Sequence, residues 1–452
     1  MSAMSLNGAR LSLEAKIQRL RGAEHCEPLV QLIESVPALP LISWLASQTL
    51  YPRIYWHGRD KEDEVAAIGA AADFLFDDPV SDQQLANVYQ HQRDLSSNHN
   101  IRYYGGVAFD RDVSGWPEFG RAHFVLPRME LRRSGKDFQL ILNLNFEGRD
   151  RQTECDAALA ALEQLQKPRP LTPPGKVHLL GRSEYPEFPR WKQLVEQVTA
   201  GKFNQHTPKV VLSRLSQLEI NEPIDPWMVL ACWQGRSPSS FQFGFQFSPE
   251  RTFISCSPER LYRRRQQELF TEALAGTTVR GVSVEEDNQL AQQLLDDSKN
   301  SHENQLVRQH IVEHLAPLSS YVGADESPKI FKLPHIQHLH RAIRAQLKPC
   351  INDFQLLQAL HPTPAVGGLP RDSALSFIRQ QEGYNRGWYA GACGYLNKHE
   401  SEFSVAIRSA LIEPGRLNLF AGAGIVTGSD PEAEWQELDN KLATILSILV
   451  EL

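Results

Sequence analysis

The sequence is bounded first by what it lacks. Its six cysteines (Cys26, Cys155, Cys232, Cys256, Cys350 and Cys393) include no C-x-x-C pair. Neither a zinc ribbon nor a thioredoxin-type redox site is therefore indicated, and scattered thiols fit a reducing cytoplasm. No apolar run reaches the roughly 18 residues that a membrane-spanning helix needs, and no signal-peptide-like apolar stretch opens the chain. Positive charge is not in excess. Lys and Arg total 47 against 54 Asp and Glu, a net charge of −7, which argues against a broad nucleic-acid-binding face. The run Arg263–Arg265 is too short and isolated to alter that, and reads as a solvated strand end. A phosphate-cradling P-loop, a G-x-G-x-x-G after a strand, H-E-x-x-H and G-x-S-x-G are all missing. The expectation is a soluble cytoplasmic protein.

What is present is enough chain for a large core: 452 residues, 41% of them hydrophobic. Residues 9–35 read as helical from the spacing of Leu11, Leu13, Ile17, Leu20, Leu29, Leu32 and Ile33. HFVLPRMEL and FQLILNLNF alternate as antiparallel strands do, and 153–166 reads as a helix. Lys167–Gly175 carries four prolines and reads as a connector. Beyond it come helices at 187–200 and 226–234, the strand KVVLSRLSQLEI, and strands FQFGFQF and TFISCSPERLYRRR. The glycine in FQFGFQF marks a bulge or a close backbone approach. One long helix is expected over 285–314, a strand mixed with a short helix over 329–347, and a helix over 371–382 with Asp372 as cap. WYAGACGYL, EFSVAIRSALI and RLNLFAGAGIV are three successive strand candidates, followed by a helix from about residue 431 to 449. Strands and helices in runs, without strict βα alternation, predict an α+β fold with antiparallel sheets. The chain divides into a less diagnostic part, 1–180, and a motif-rich part, 181–452.

The densest chemistry lies in Arg408–Lys441. Arg408 sits in an apolar strand. Gly422 and Gly424 in AGAG would let backbone N–H groups approach an anion. Asp430 followed by Pro431 reads as a helix start. Glu434, Glu437 and Lys441 then share one helix face. This suggests a small polyanion beside a hard metal ion, although a capped surface helix with a Glu–Lys pair has the same pattern. Glu303, in SHENQLV, could complete an oxygen-rich site for Mg²⁺, which takes one or two protein carboxylates together with water. Lys209 opens an apolar strand. It is either a snorkelling surface residue or, if desolvated, a general base. Glu259, in CSPERL, is either an arginine partner or a protonated acid. EALAGTTVRG, with Gly276 and Thr277, and LHPTPAVGG, with Ala365, read as loops suited to anion contact or as plain turns.

Taken in order, KVVLSR, SPERL, EALAGT, HEN, LHPTPAVGGLPR, WYAG, SEFSVAIRSA and AGAGIVTGSDPEAEWQE-x-x-NK resemble the chorismate-utilising enzymes over residues 185–452. That family includes isochorismate and salicylate synthases and component I of anthranilate and aminodeoxychorismate synthases. SWLASQTLYPRIYW and GSDPEAEWQELDNK are most similar to the isochorismate synthases of the menaquinone pathway. The resemblance implies one α+β unit, with two packed antiparallel sheets, outer helices and an active-site cleft. It implies Mg²⁺ as cofactor and chorismate as the small-molecule partner. By the same resemblance Lys209 is the base that activates water and Glu259 the acid. Glu303 and Glu437 are direct metal ligands, and Glu434 holds the metal's waters. Gly276, Thr277, Ala365, Tyr389, Arg408, Gly422 and Lys441 line the chorismate site. Ammonia-using members generally carry glutamine where Lys209 stands, so no glutaminase subunit is expected. Lysine leaves salicylate synthesis open as an alternative, and a catalytically silent chorismate-binding protein is a third reading.

Overall fold

The computed structural model describes residues 4–449 apart from 24, 26, 79–84, 86–87, 89–99, 173–174, 176 and 334–335, so part of the proline-rich connector lies outside the described residues. The fold is α+β, and every strand pairing is antiparallel. The sheets form one hydrogen-bonded network that divides at the long strand Ala122–Ser134. Asp63–Phe76 pairs along one side of that strand. On its other side, the first half pairs with Tyr103–Val107 and the second half with Asp137–Asn145.

From Asp63–Phe76 the first sheet runs through Arg53–His57, Phe241–Ser248, Arg251–Ser257, Ser409–Glu413 and Arg416–Ile425 to Lys209–Ile220. From Tyr103–Val107 the second runs through Ala392–Leu396, Glu400–Val405, Arg260–Arg265 and Glu268–Val279 to Ile336–Leu347. Aromatic rings fill the space between their inner faces. Trp56 meets Tyr395 with ring centroids 6.0 Å apart, and Trp388 meets Phe245 at 5.3 Å. Both sheets interleave strands from before and after residue 180. Among the described residues no helix is long and apolar enough to cross a membrane.

Several local expectations are corrected by tertiary context. The first helix spans Leu6–Arg21 and ends at Gly22, and Leu29–Val36 is a strand paired residue for residue with Phe138–Asn145. Pro28 cannot continue a helix, and Leu29, Leu32 and Ile33 suit sheet pairing as well as a helical face. The region 285–314 is two helices, Val284–Asp296 and Ser298–Leu315. Asp297 leaves the helical conformation and accepts a hydrogen bond from the Asn300 N–H at 2.7 Å, capping the second helix. Residues 329–347 hold two strands, Lys329–Lys332 and Ile336–Leu347, which pair with each other. Arg371–Gln381 starts after Pro370 without a side-chain cap, leaving Asp372 in its first turn. In FQFGFQF the close approach applies, because a Cβ on Gly244 would lie 2.8 Å from the Trp227 ring. The last helix spans Pro431–Leu449, and the Asp430 carboxylate accepts from the Glu432 and Ala433 N–H groups.

Candidate active site

Where the two sheets and the helices Ser298–Leu315 and Pro431–Leu449 meet, they enclose a cavity of about 150 Å³. Eleven of the twelve residues singled out above line it: Glu259, Gly276, Thr277, Glu303, Ala365, Tyr389, Arg408, Gly422, Glu434, Glu437 and Lys441. The twelfth, Lys209, is fully buried behind Glu303 and donates to its Oε1 at 2.7 Å. Lys209 is therefore no snorkelling surface residue.

The small-residue run AGAG is part of the strand Arg416–Ile425, with Gly422 opposite Ser213 and Gly424 opposite Val211. The run is a strand and not the expected turn, but its pairing with Ser409–Glu413 ends at Phe420, and the Gly422 carbonyl turns to Lys441. The glycines also provide room. A Cβ on Gly422 would lie 2.8 Å from the Tyr389 hydroxyl, and one on Gly424 would lie 3.1 Å from Glu303 Oε1 and 3.2 Å from Lys209 Cε. EALAGT likewise belongs to a strand, Glu268–Val279, whose register shifts between Leu274 and Thr277. Gly276 sits in that bulge at φ +84°, a conformation open to glycine. Ala365 lies in the turn closed by the Val366 and Gly367 N–H groups on the Thr363 carbonyl.

Arg408 is not within a strand. It occupies the break between Glu400–Val405 and Ser409–Glu413 at φ +48°, an uncommon conformation for a residue with a Cβ. Among the described residues its guanidinium makes no hydrogen bond or ion pair. Burial presses its pKa down, against the opposing pull of Glu437 and Tyr389. Tyr389 stacks on Phe420 at 5.0 Å, and its hydroxyl has no hydrogen-bond partner among the described residues. A half-buried cation and a buried donor, both without partners among the described residues, make a receptor for an anion.

The acidic residues fall into two environments. Glu437 receives Lys441 at 2.5 Å, and that ammonium also donates to the Gly422 carbonyl at 2.8 Å. Glu434 lies 3.7 Å from Lys299. Lys441 holds the Glu437 carboxyl below its usual value, whereas burial raises Glu434. Glu259 lies between the strands Arg251–Ser257 and Arg260–Arg265 and is 6% exposed. Its carboxyl is 3.5 Å from Thr363 Oγ1 and has no ion pair among the described residues. Burial pushes it up to about 8, the Glu272 charge adds to this, and Lys209, Thr363 and Arg59 oppose. At neutral pH it is a carboxylic acid with a proton to give. Arg260, its possible partner from sequence, pairs instead with Glu402 and Asp60.

Sequence reading missed three parts of this site. His338, on Ile336–Leu347, bonds Thr277 Oγ1 through Nδ1 at 2.9 Å, while its buried Nε2 has no partner among the described residues. Burial, then Arg408 and Lys441, push its pKa to about 3, so the ring is neutral. No metal-ligand spacing surrounds it in sequence. Asn304 ties the Glu303 helix to the sheet through the carbonyls of Ala273, Ala275 and Leu339. Glu272 lies buried behind Glu259, and only the fold brings the two together.

The donors on the carboxylate wall are hard oxygens, which suit Mg²⁺. Among the described residues no three His, Cys, Asp or Glu side chains converge on one metal position. The set fits an ion that takes one or two carboxylates and completes its shell with other oxygens.

The model of the chorismate binding enzyme family matches residues 15–450. The chain belongs to the chorismate-binding enzymes. Within that family it is 37% identical over 414 residues to the isochorismate synthase MenF of Escherichia coli, covering 91% of each chain. It is 37% identical over 354 residues to the salicylate biosynthesis isochorismate synthase of Pseudomonas aeruginosa, covering 77% of this chain and 74% of that one. The solved structure of the menaquinone-specific isochorismate synthase MenF from E. coli superposes with a TM-score of 0.87 at 34% identity, over 97% of this chain and all of the other. Anthranilate synthase component I from Streptococcus pneumoniae shares the fold, with a TM-score of 0.72 at 21% identity over 85% of this chain and 92% of that one.

Proposed function

We propose that this chorismate-binding enzyme is an isochorismate synthase, Mg²⁺-dependent and serving menaquinone synthesis. The observation that carries the reading is one cavity holding a protonated Glu259 and Arg408, neither with an ion pair among the described residues, with Lys209 buried at its edge. In this reading residues 181–452 carry the chorismate-binding groups, and 1–180 complete the sheets around them.

Arg408 and Tyr389 hold the enolpyruvyl carboxylate of chorismate. Gly276, Thr277, Ala365, Gly422 and Lys441 shape the surface around the ring. Lys209 takes a proton from water as its oxygen bonds to C2. The ring double bonds shift, and the C4 hydroxyl leaves as water with the proton of Glu259. Glu303 and Glu437 would hold Mg²⁺, with Glu434 on its waters, and the bound ion would supply Lewis-acid stabilisation of charge at the ring carboxylate. General base and general acid each contribute a factor of about 10² to 10⁴ in such chemistry. Lysine as base supports water as nucleophile, and the reading needs no glutaminase subunit.

The test is product analysis by chromatography after incubation with chorismate, with Mg²⁺ or with a chelator. The expected result is isochorismate in equilibrium with chorismate, formed only with Mg²⁺ and without pyruvate. Salicylate and pyruvate would move the chain to salicylate synthesis. Folded protein with no turnover would leave a silent binding protein.

A further inference from the structure

Arg59 comes from outside the motif-bearing region, in the turn between the strands Arg53–His57 and Asp63–Phe76. Its guanidinium is almost buried, with the Phe241 and Phe331 rings 5.6 Å and 5.2 Å away. It grips Glu272 with both arms, Nη1 to Oε1 at 2.7 Å and Nη2 to Oε2 at 2.8 Å. The remaining contacts of this pair fall on the peptides that border Glu259. Arg59 Nη1 also donates to the Pro258 carbonyl at 2.6 Å. Glu272 Oε1 also accepts from the Arg260 N–H at 3.1 Å. His340 Nε2, 3.0 Å from Oε2, completes the carboxylate's shell.

We infer that the Arg59–Glu272 ion pair is the positioning element of Glu259, fixing the peptide groups before and after it so that its carboxyl stays free to point into the cavity. The inference rests on Glu259 being the acid of the proposed reaction. From the other side, the Glu259 carbonyl accepts from the Val405 N–H at 3.1 Å and the Ser404 hydroxyl at 2.8 Å. With the Glu259 N–H donating to Ser257 Oγ at 3.3 Å, the backbone is held at four points, while among the described residues the carboxyl has only the long Thr363 contact. A proton donor needs this combination: a fixed origin and an acid group not consumed by protein partners.

The pair also acts through charge. The groups facing Glu259 are Glu272 on Glu268–Val279, Lys209 on Lys209–Ile220, Arg59 in its turn and Thr363. Behind them stand His340, Arg260 and Glu402. Burial pushes the Glu272 carboxyl up, and His340 and Arg59 more than reverse this, keeping it ionised. Its negative charge then favours the proton on Glu259, and the Arg59 charge opposes less strongly. A pair that merely joined a hairpin to a sheet would need neither the peptide contacts nor this influence.

Three variants test the inference in the full chain with Mg²⁺. Arg59→Lys keeps the charge but loses the two-armed fork. It is expected to lower kcat about tenfold to a hundredfold, with KM for chorismate within about threefold of the parent. Glu272→Gln is expected to move the alkaline limb of the kcat profile down by about one pH unit. Because Glu272→Gln strands a buried guanidinium, Arg59→Gln combined with Glu272→Gln is measured beside it, with the same direction expected. Infrared titration of the Glu259 carboxyl, identified by subtracting the Glu259→Gln spectrum, reads the shift without substrate or metal. An unmoved carboxyl titration in both Glu272 variants would overturn the inference, as would kcat and KM degrading together in Arg59→Lys. Near-parental turnover in Glu259→Gln is a different result, which removes the acid assignment itself.

Discussion

On one wall of the cavity every carboxylate is ion-paired to a lysine, and on the other Glu259 makes no ion pair among the described residues. Glu303 meets Lys209 at 2.7 Å, Glu437 meets Lys441 at 2.5 Å, and Glu434 has Lys299 at 3.7 Å. Glu259 faces a second buried carboxylate and is pushed to about 8. The same side chain is thus prepared for opposite tasks by its surroundings. In the proposed reaction one wall offers oxygens to a cation, and the other stores a proton.

The contrast is tested most severely where a lysine serves a carboxylate and the reaction together. Lys209→Ala is expected to fold and to lose turnover toward the upper end of a range of about 10² to 10⁴. Near-normal kcat would remove Lys209 as the base. Glu437→Gln removes a proposed Mg²⁺ ligand that also pairs with Lys441. It should raise the Mg²⁺ needed for half-maximal rate by about tenfold to a hundredfold, and an unchanged Mg²⁺ dependence would sink that assignment. Tyr389→Phe removes a donor that has no partner among the described residues, so stability should hold while KM rises by up to about tenfold. An unaltered KM would place the substrate carboxylate elsewhere.

The smallest effect concerns stability. A carboxyl whose pKa rises on folding from the usual 4.5 to about 8 binds its proton more tightly in the folded state. Its contribution is full below about pH 4.5 and is lost as pH rises to about 8. Glu259→Gln should therefore gain in Tm relative to the parent between those limits and level off above them. A Tm difference independent of pH would mean that Glu259 is not the proton store.

Much of the cavity was legible because its residues are neighbours in sequence or fall at helical spacing. Glu434, Glu437 and Lys441 share a face in any helix beginning at Pro431. Lys209 opens an apolar strand, a pattern that fits a snorkelling surface lysine as well as a desolvated base, and its burial behind Glu303 decides between them. Glu259 follows a proline that ends a strand. Where tertiary pairing decides, local pattern was insufficient. Leu29–Val36 satisfies two periodicities, and its partner strand chooses between them. Asp297 divides a continuous helical pattern by capping the helix Ser298–Leu315. The left-handed backbone at Arg408 lies in the break between two strands, and no residue type there announces it. Arg59 and Glu272 share no motif, and their link exists only once the hairpin is packed.

The strand Ala122–Ser134, shared by both sheets, bears on how the cleft comes into being. Tyr103–Val107 cannot complete its pairing until Ala392–Leu396 exists, and Arg53–His57 waits for Phe241–Ser248. During synthesis nearly the whole polypeptide must leave the ribosome before the floor of the cleft can close. Pairings so distant along the chain also form slowly. The enzyme therefore passes through no half-built stage with a working site, and an interruption late in translation costs it everything at once.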